Sequence, residues 1–335
     1  MNDNEAMKGT KHKGEVMVIT GATSGIGRAT ALEWAKLGGS VVLAARSREV
    51  LEQVATECEE AGGKALTFQV DVSKEEEVNK LAEEAVITYG KIDIWLNNAA
   101  AMIFGDFIQI PSAEFSRVLE TNLFGVVWGA RAAIQQFRRQ GKGTLINMSS
   151  LAGIVGQPYS TPYSISKAGI RALGISLGQE LENEPNIHVC TVYPSIVDTP
   201  VYQNAANFTG HTINPPTSAT PARKVAKAIV KLGEHPQREV YVGKRNTLIR
   251  MNRSLAPTLF DKSYRKVMET IELQDESVPK TSGNLFEPIP EHASISGGWL
   301  EKEKIGGRTT IKKVTNEILI VTGLLIATGW LLSHR

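Results

Sequence analysis

Tyr163 and Lys167 lie four residues apart in the run Tyr-Ser-Ile-Ser-Lys, and on a helix this spacing puts both side chains on one face. A free phenol has a pKa of about 10, and a nearby ammonium favours the phenolate and lowers that pKa. Such a pair could exchange a proton with an alcohol or carbonyl oxygen near neutral pH. Alone, the spacing is weak evidence, because a tyrosine at a helix start and a surface lysine give the same pattern.

A glycine-rich turn near the N-terminus favours a dinucleotide site. Residues 15–20 are an apolar run that predicts a buried strand, and residues 28–37 predict a helix. Glycines let the turn between them approach a pyrophosphate, and the helix N-terminus offers free N–H groups. The turn could be only a tight connection, but the flanking strand and helix favour cofactor binding. The predicted phosphate-binding residues are Gly21, Ser24, Gly25, Ile26 and Gly27.

The end of the second predicted strand, residues 40–45, favours one form of the cofactor. An acidic residue here would bond the ribose 2′-OH of NAD, but the strand ends in Ala45 and Arg46 follows. A guanidinium suits a 2′-phosphate, since its planar fork makes charge-assisted hydrogen bonds. Arg28, in the first turn of the preceding helix, could approach the same phosphate. We therefore predict NADP(H) over NAD(H), the other interpretation being that Arg46 is a solvated surface charge.

Strands and helices alternate with short links as far as residue 199, which predicts a parallel, doubly wound sheet. Ser150 follows the fifth strand, at the sheet edge where ligands bind in such folds. Asp71 follows the third strand and is either a turn residue or an adenine contact. Asn122 lies in an apolar stretch of a predicted helix, so its amide needs a hydrogen-bonding partner, structural or catalytic. The other predicted elements are helices 49–60, 112–139 and 163–182, strands 64–70, 92–96, 143–148 and 187–193, and a capping box of Ser73 with Glu76.

Together these residues resemble the short-chain dehydrogenase/reductase family over about residues 14–250. The glycine spacing is similar to that of the family's short single-domain branch. The resemblance implies an α/β fold with a Rossmann-type doubly wound parallel sheet, strand order 3-2-1-4-5-6-7, and a seventh strand near residues 239–242. The matching residues, in the family's order, are Thr20, Gly21, Gly25, Gly27, Asp71, Asn97, Asn98, Ala99, Asn122, Ser150, Tyr163, Lys167 and Pro194 to Thr199.

The resemblance also implies a role for each residue of the site. Tyr163 would donate or accept the proton, while Lys167 would lower its pKa and hold the nicotinamide ribose. Ser150 would bond the substrate oxygen, and Asn122 would anchor a water in a proton relay to Lys167. Asp71 would contact the adenine. The implied cofactor-binding set is Gly21, Ser24, Gly25, Ile26, Gly27, Arg28, Arg46, Asp71, Asn98, Tyr163, Lys167 and Thr199.

Two positions depart from the family pattern, and one tyrosine competes with Tyr163. Ala100 stands where the family has a glycine after Asn-Asn-Ala, and Ser195 where it has a glycine after the proline. Each adds a Cβ where backbone approaches cofactor or substrate, which bears on the local loop shape. Tyr159 has Tyr163, not a lysine, as its fourth neighbour, so Tyr163 is the preferred catalytic tyrosine.

The last third of the chain lies beyond the resemblance. We expect a C-terminal extension and linker over residues 251–310, in which the Pro-, Gly- and Ser-rich stretch 277–307 is a linker or a flap over the site. Residues 311–335 predict a transmembrane or packing helix, whose uncharged part, 318–332, spans about 22 Å against a hydrocarbon core of roughly 30 Å. We predict a C-terminal membrane anchor with the enzyme on the cytoplasmic face. The alternative is a buried packing helix or oligomer contact in a cytoplasmic protein.

The composition of the 335-residue chain limits the kinds of partner that we predict for it. The net charge of +2 does not indicate a nucleic-acid partner, and Cys58 and Cys190 lack metal-ligand spacing, so no metal site is predicted. Residues 1–13 are a polar tail without the apolar stretch of a signal peptide.

We therefore predict an NADP(H)-dependent oxidoreductase that interconverts an alcohol and a ketone or aldehyde, with a small hydrophobic substrate and, by resemblance, a homo-oligomeric assembly. The alternatives are a catalytically idle NADP(H)-binding sensor and a membrane-tethered scaffold. Candidate walls of an apolar substrate pocket, which equally fit core or flap positions, are Met102, Ile103, Phe104, Tyr159, Val201 and Tyr202.

Overall fold

A sheet of seven parallel strands forms the centre of the computed structural model, which describes residues 10–215, 219–243, 246–269 and 273–301. Its strands are β1 (Val16–Thr20), β2 (Ser40–Ala45), β3 (Lys64–Gln69), β4 (Ile94–Asn97), β5 (Gly143–Met148), β6 (Ile187–Pro194) and β7 (Glu239–Val242). Across the sheet their order is β3-β2-β1-β4-β5-β6-β7, and every neighbouring pair is parallel. The predicted doubly wound sheet, with its seventh strand, is confirmed.

Helices cover both faces of this sheet. They are α1 (Gly25–Ala35), α2 (Arg48–Glu60), α3 (Glu75–Tyr89), α4 (Ser112–Leu119), α5 (Gly125–Gln140), α6 (Ala152–Val155), α7 (Thr161–Glu180), α8 (Ala222–Glu234), α9 (Asn246–Leu255) and α10 (Pro257–Val267), with a π-helical turn at Glu120–Phe124 and a 3-10 turn at Pro290–His292. Successive side chains of a strand point to opposite faces. Met17 and Ile19 of β1 therefore lie in one buried cluster with α1, α2 and α8, while Val16 and Val18 lie in a second with α3 and α5.

The chain beyond β7 folds back over the carboxyl edge of the sheet. Residues 282–299, which we call the C-terminal strap, contact the loops that follow β1, β2 and β6. The described part of the Pro-, Gly- and Ser-rich stretch, predicted to be a linker or a flap, lies against these loops. Short strands pair around it: Ile103–Phe104 with Ala206–Asn207, Val197–Asp198 with Thr220–Pro221, and His211–Ile213 with Leu273–Ser277.

One local prediction is confirmed with a refinement, and another is wrong. The helix expected over residues 112–139 forms, and it contains a π-helical turn at Glu120–Phe124. The capping box of Ser73 with Glu76 does not form, since helix α3 begins at Glu75 after Lys74. Ser73 instead donates both its backbone N–H and its hydroxyl to Asp71 Oδ1, at 3.1 and 2.8 Å, because a carboxylate two residues away is the stronger acceptor.

The prediction of a transmembrane helix is corrected. Over the part of the chain that the structure describes, no helix combines the length and the apolar character needed to cross a membrane. Even the longest helix there, α7, carries Lys167 and Arg171. Residues 318–332, on which the prediction rested, lie outside the described residues.

Gly129→Ala should destabilise the fold at its centre. A Cβ on Gly129 of α5 would lie 2.0 Å from Asn97 Oδ1 and 2.8 Å from Trp95 Nε1, so the buried hydrogen bond between these two side chains must shift. We expect a net loss of about 1–3 kcal/mol in the free energy of unfolding, measured by urea denaturation. Gly178→Ala in α7 is the matched control: no atom lies within 4 Å of its added Cβ, so it should gain about 0.5–1 kcal/mol. Equal effects at both positions would contradict this account of the α5 contact.

Candidate active site

Ser150, Tyr163 and Lys167 meet at the carboxyl edge of β5. Ser150 follows the strand, and Tyr163 and Lys167 lie in the first turns of α7. A side-chain hydrogen bond joins Ser150 and Tyr163. The Lys167 ammonium lies 5.5 Å from the centroid of the Tyr163 ring and donates to the Met148 carbonyl at 2.8 Å. The structure thus brings the predicted serine, tyrosine and lysine together.

Burial controls the protonation of this group. Lys167 is 3% exposed, and no carboxylate of the described residues forms an ion pair with it, so burial lowers its pKa to about 7. Burial raises the pKa of Tyr163, and the hydrogen bond with Ser150 offsets only part of that rise. The expected lowering of the Tyr163 pKa is therefore not met by these residues alone, because desolvation of the phenolate outweighs the bond that stabilises it.

Asn122 lies in the π-helical turn and is fully buried. Its side chain accepts from Ala101 N and donates to Ala101 O, each at 2.8 Å, and its amide also reaches Ser166 Oγ at 3.3 Å. Ser166 in turn donates to the Tyr163 carbonyl at 2.7 Å. Asn122 is thereby tied to the helix of Tyr163, and the partner that the sequence required is found. Its place in a proton relay remains a prediction.

The glycine-rich turn between β1 and α1 has the shape of a phosphate cradle. Gly21 and Gly25 have positive φ angles of 66° and 52°, which L-residues rarely adopt. A Cβ on Gly27 would lie 2.2 Å from Gly21 O, so only glycine fits there. Asn98 donates to the carbonyls of Thr20 and Gly21, at 3.0 and 3.1 Å, and fixes the turn. These residues fit a dinucleotide, since glycines let the backbone of the turn pack closely at a helix N-terminus, where a phosphate group can approach the main chain.

The two arginines predicted for a 2′-phosphate differ in their partners. Arg28 forms an ion pair with Glu57 of α2 and donates to the Ala293 carbonyl of the strap. Arg46 donates to three strap carbonyls, Asn284 O, Leu285 O and Phe286 O, at 2.5, 2.9 and 3.1 Å. The charge of Arg28 is thus balanced by a carboxylate, whereas that of Arg46 is met by neutral acceptors.

Asp71 is held by its neighbours. Its carboxylate pairs with Arg117 at 2.5 Å and accepts from Ser73. Burial opposes its ionisation, but the hydrogen bonds from Arg117 and Ser73 outweigh burial and keep its pKa below the usual value. Asp71 therefore stabilises the turn after β3, and it also lines the cavity into which an adenine would fit.

One cavity of about 670 Å³ connects these features. It runs from Arg46 and Asp71 past the glycine-rich turn to Tyr163. Residues that the sequence analysis did not single out close it: Ile249, Asn252, Phe260, Tyr264, Lys266 and Met268 near α9 and α10, and Asn284, Pro288, Ile289, Pro290, His292 and Ala293 of the strap. The irregular composition of residues 277–307 was the one signal for the part of this wall that the strap forms.

The candidate substrate residues divide into two groups. Met102, Val201 and Tyr202 line the cavity. Ile103 and Phe104 are buried in the short strand that pairs with Ala206–Asn207, so they are core residues. The Tyr159 hydroxyl donates to Glu269 at 2.6 Å, away from Lys167, which removes it as a rival for Tyr163.

Comparison with known proteins now decides the family. Residues 15–209 match the family described as short chain dehydrogenase. The chain belongs to this family. It is accordingly an oxidoreductase of short-chain dehydrogenase type, a family that binds a nicotinamide cofactor.

Several relatives place the chain within the short-chain dehydrogenases. An uncharacterised oxidoreductase, YxnA of Bacillus subtilis (strain 168), is 33% identical over 98% of this chain and 93% of its own, so that likeness includes the C-terminal extension. A 3beta-hydroxysteroid dehydrogenase 1 of Eggerthella lenta is 37% identical over 58% of this chain and 75% of its own. A 3-oxoacyl-[acyl-carrier-protein] reductase, FabG of Thermotoga maritima, is 33% identical over 56% of this chain and 76% of its own.

A solved alcohol dehydrogenase structure shares the fold. The alcohol dehydrogenase of the archaeon Thermococcus sibiricus, complexed with 5-hydroxy-NADP, superposes with a TM-score of 0.61 at 28% identity. The match covers 68% of this chain and 96% of that chain. The part of this chain that the match does not cover is about as long as the N-terminal tail and the C-terminal extension together.

Ser195 stands where the short-chain dehydrogenase pattern has a glycine, and Gly243 leaves room for its side chain. Ser195 N donates to Val242 O at 3.0 Å, which brings the serine beside Gly243. A Cβ on Gly243, whose φ is 138°, would lie 2.0 Å from Ser195 Oγ. The space for the extra side chain is therefore provided across the β6–β7 pair. Ala100 and Ser195 both line the cavity.

Lys167→Met should change how stability depends on pH. Because the folded-state pKa of Lys167, about 7, lies below its ordinary value of 10.5, the unfolded chain binds more protons between these values. The free energy of unfolding of the wild type should therefore rise with pH across that window. The cost of burying the Lys167 ammonium should be greatest below pH 7. The variant should lose this part of the rise, as measured by urea denaturation from pH 6 to 10.

Lys80→Met, at an exposed position of α3, controls for the loss of one lysine. A Lys167→Met protein whose unfolding free energy follows the wild-type pH profile would contradict the buried, uncompensated ammonium.

Proposed function

We propose that the protein is an NADP(H)-dependent oxidoreductase that interconverts an alcohol and a ketone or aldehyde by hydride transfer. The observation that carries this proposal is the hydrogen-bonded pair of Ser150 and Tyr163 beside a fully buried Lys167, in one cavity with the glycine-rich turn. A binding module would need the turn but not a desolvated acid–base group at the far end of the same cavity.

The cofactor supplies the hydride when bound, and the residues of the chain handle the proton. In reduction, the carbonyl oxygen would accept hydrogen bonds from Ser150 and Tyr163, and Tyr163 would give its proton to that oxygen as the alcohol forms. In oxidation, Tyr163 would take the hydroxyl proton. Lys167, with a pKa of about 7, can gain and lose a proton near neutral pH. It could therefore return to Tyr163 the proton that Tyr163 has given to the substrate. Asn122 would hold the outer end of this relay.

The preference for NADP(H) rests on Arg46. Its guanidinium lines the cavity, and among the described residues no carboxylate lies within ion-pair distance of it. A 2′-phosphate would supply the missing anion. Arg28, which the sequence also suggested, is a weaker candidate because Glu57 already neutralises it. The 5-hydroxy-NADP bound by the Thermococcus sibiricus relative supports the same choice.

The substrate end of the cavity favours a small hydrophobic alcohol or carbonyl compound. Met102 and Val201 pack in one cluster with Tyr163, and the cavity is lined further by the apolar side chains of Ile249 and Phe260, so apolar groups on the substrate would bury surface there. The steroid and acyl-carrier relatives named above act on hydrophobic molecules by name, which agrees with such a pocket.

A homo-oligomer is the assembly we propose. Phe124, Ile165 and Ile175 are large apolar side chains that stay exposed on the π-helical turn and α7. Phe124 stacks on Trp128 of α5, with ring centroids 5.9 Å apart, which extends the patch. Exposed apolar patches of this kind mark contacts between chains, and here they lie on the helices of Asn122 and Tyr163.

Tyr163→Phe should abolish turnover while leaving cofactor binding intact. Removing the proton donor should lower kcat by roughly 100-fold or more, measured as NADPH oxidation with a panel of short- and long-chain ketones and aldehydes. Tyr159→Phe is the matched control, because the Tyr159 hydroxyl bonds Glu269 outside the cavity, and it should keep wild-type kcat. If Tyr163→Phe retained turnover, or if wild type and variant were both idle on every substrate while NADPH bound, the proposed reaction would lose its support and an idle sensor would gain it.

Arg46→Ala should weaken NADPH and spare NADH. Loss of a charge-assisted contact to the 2′-phosphate should raise the KM for NADPH about tenfold, whereas the KM for NADH should stay within about twofold. Arg28→Ala should change both cofactors to a similar, smaller extent, because its charge is already paired. A wild-type protein that binds NADH as tightly as NADPH would refute the predicted preference.

A further inference from the structure

We propose that the C-terminal strap selects the cofactor by holding Arg46 for the 2′-phosphate, and that Leu285 is the positioning residue that seats the strap. The inference rests on the proposed use of NADP(H). It assigns a role in specificity to a segment that lies outside residues 15–209, the region that matches the family.

The strap holds Arg46 without neutralising it. Three consecutive carbonyls, those of residues 284–286, accept from its two terminal nitrogens. A guanidinium has five N–H donors, so these three bonds leave Nε–H and one N–H of Nη2 for a ligand. Burial lowers the pKa of Arg46, although Asp71 and Glu287 lie near enough to oppose this, so its charge is only partly compensated. The strap thus fixes the direction of the fork and leaves its charge available to an anion.

Leu285 seats this part of the strap. It is 1% exposed and lies in a buried cluster with Ile103, Val118 and Phe208. Its carbonyl accepts from Arg117 Nε at 2.9 Å as well as from Arg46. The clamp on Arg46 is therefore built on a side chain that is packed as tightly as the protein core.

Polar contacts secure the strap just before Leu285. Asn284 N donates to Asn204 O at 2.9 Å, and Ser282 Oγ to Glu114 at 3.0 Å. These bonds limit the freedom of the three carbonyls that hold Arg46.

The far end of the strap is tied just as firmly. The buried Asp198 carboxylate accepts from Ser296 Oγ and from the backbone of Gly297 and Trp299, at 2.6, 3.1 and 3.0 Å. Trp299 Nε1 donates to Thr199 O at 3.0 Å. Between the two ends, Ser294 O accepts from Gly25 N at 2.9 Å. A segment fastened at both ends gives the guanidinium one orientation, which lowers the entropy lost when a phosphate binds.

A segment that merely covered the groove would act differently from one that orients Arg46. NADPH and NADH differ only at the 2′ position, so a simple cover would affect both equally when loosened. Loosening the clamp on Arg46 would instead weaken the binding of the 2′-phosphate alone. Selectivity between the two cofactors therefore separates the two roles.

The test measures dissociation constants of the full-length protein for NADPH, NADH and adenosine 2′,5′-bisphosphate, by calorimetry and nucleotide fluorescence, without turnover. Leu285→Ala removes the side chain that seats the clamp, and the dissociation constants for NADPH and the bisphosphate should rise roughly fivefold, with that for NADH within about twofold. Ile110→Ala makes a cavity in the same buried cluster from a residue outside the strap. This variant should leave the ratio of the dissociation constants for NADPH and NADH unchanged. Leu285→Val, a smaller change, replaces the alanine variant if the latter does not fold.

Arg46→Ala separates failure of this inference from failure of the proposed function. If Arg46→Ala leaves the ratio of the dissociation constants for NADPH and NADH unchanged, the proposed preference for NADP(H) is itself wrong. If Arg46→Ala raises the dissociation constant for NADPH relative to that for NADH, but Leu285→Ala weakens the binding of both cofactors equally or of neither, the strap does not orient Arg46 and the inference is overturned. A loss confined to NADPH and the bisphosphate in both variants supports it.

Discussion

The desolvation of one ammonium group is the constraint on which the site depends. Lys167 is buried at the carboxyl edge of β5, and its Nζ is satisfied by the Met148 carbonyl rather than by a carboxylate. A buried cation without a counter-ion is costly, and it persists because α7 and β5 are held in place by two separate hydrophobic cores. The same desolvation that makes Lys167 release its proton readily makes Tyr163 keep its own. The sheet and its packing thus set the acid–base properties of the cavity.

Most of the fold was readable from the sequence because it depends on local pattern. β1 and β2 are largely apolar runs buried on both faces, as a central parallel strand requires, and the glycines of the first turn have backbone geometry that other residues rarely adopt. Ser150 was noticed because it follows a strand at the ligand-binding edge, and Tyr163 with Lys167 because of their helical spacing. That the three residues act together was implied only by the resemblance to the family.

What the sequence could not reveal depends on long-range partners. The π-helical turn at Asn122 leaves no mark on a helical repeat, and the partner of Asn122 is the backbone of Ala101, which no side-chain pattern predicts. Arg28 has the right place for a phosphate contact, but Glu57 on the next helix takes its charge. The strap has no periodicity at all, so its position follows only from contacts such as that of Leu285 in a distant cluster.

The contacts of the strap also bear on how the protein is made. Arg46 lies 238 residues before Asn284, the first of the three residues whose carbonyls hold it, and Asp198 lies 101 residues before Trp299. During synthesis the sheet can form as its strands leave the ribosome, domain contacts being made from the N-terminus onward. The cavity, however, gains its last wall only when the strap, residues 282–299, has been synthesised. The nascent chain would therefore acquire the sheet well before it acquires a complete cavity, and these long loop closures are expected to be among the slow steps of its maturation.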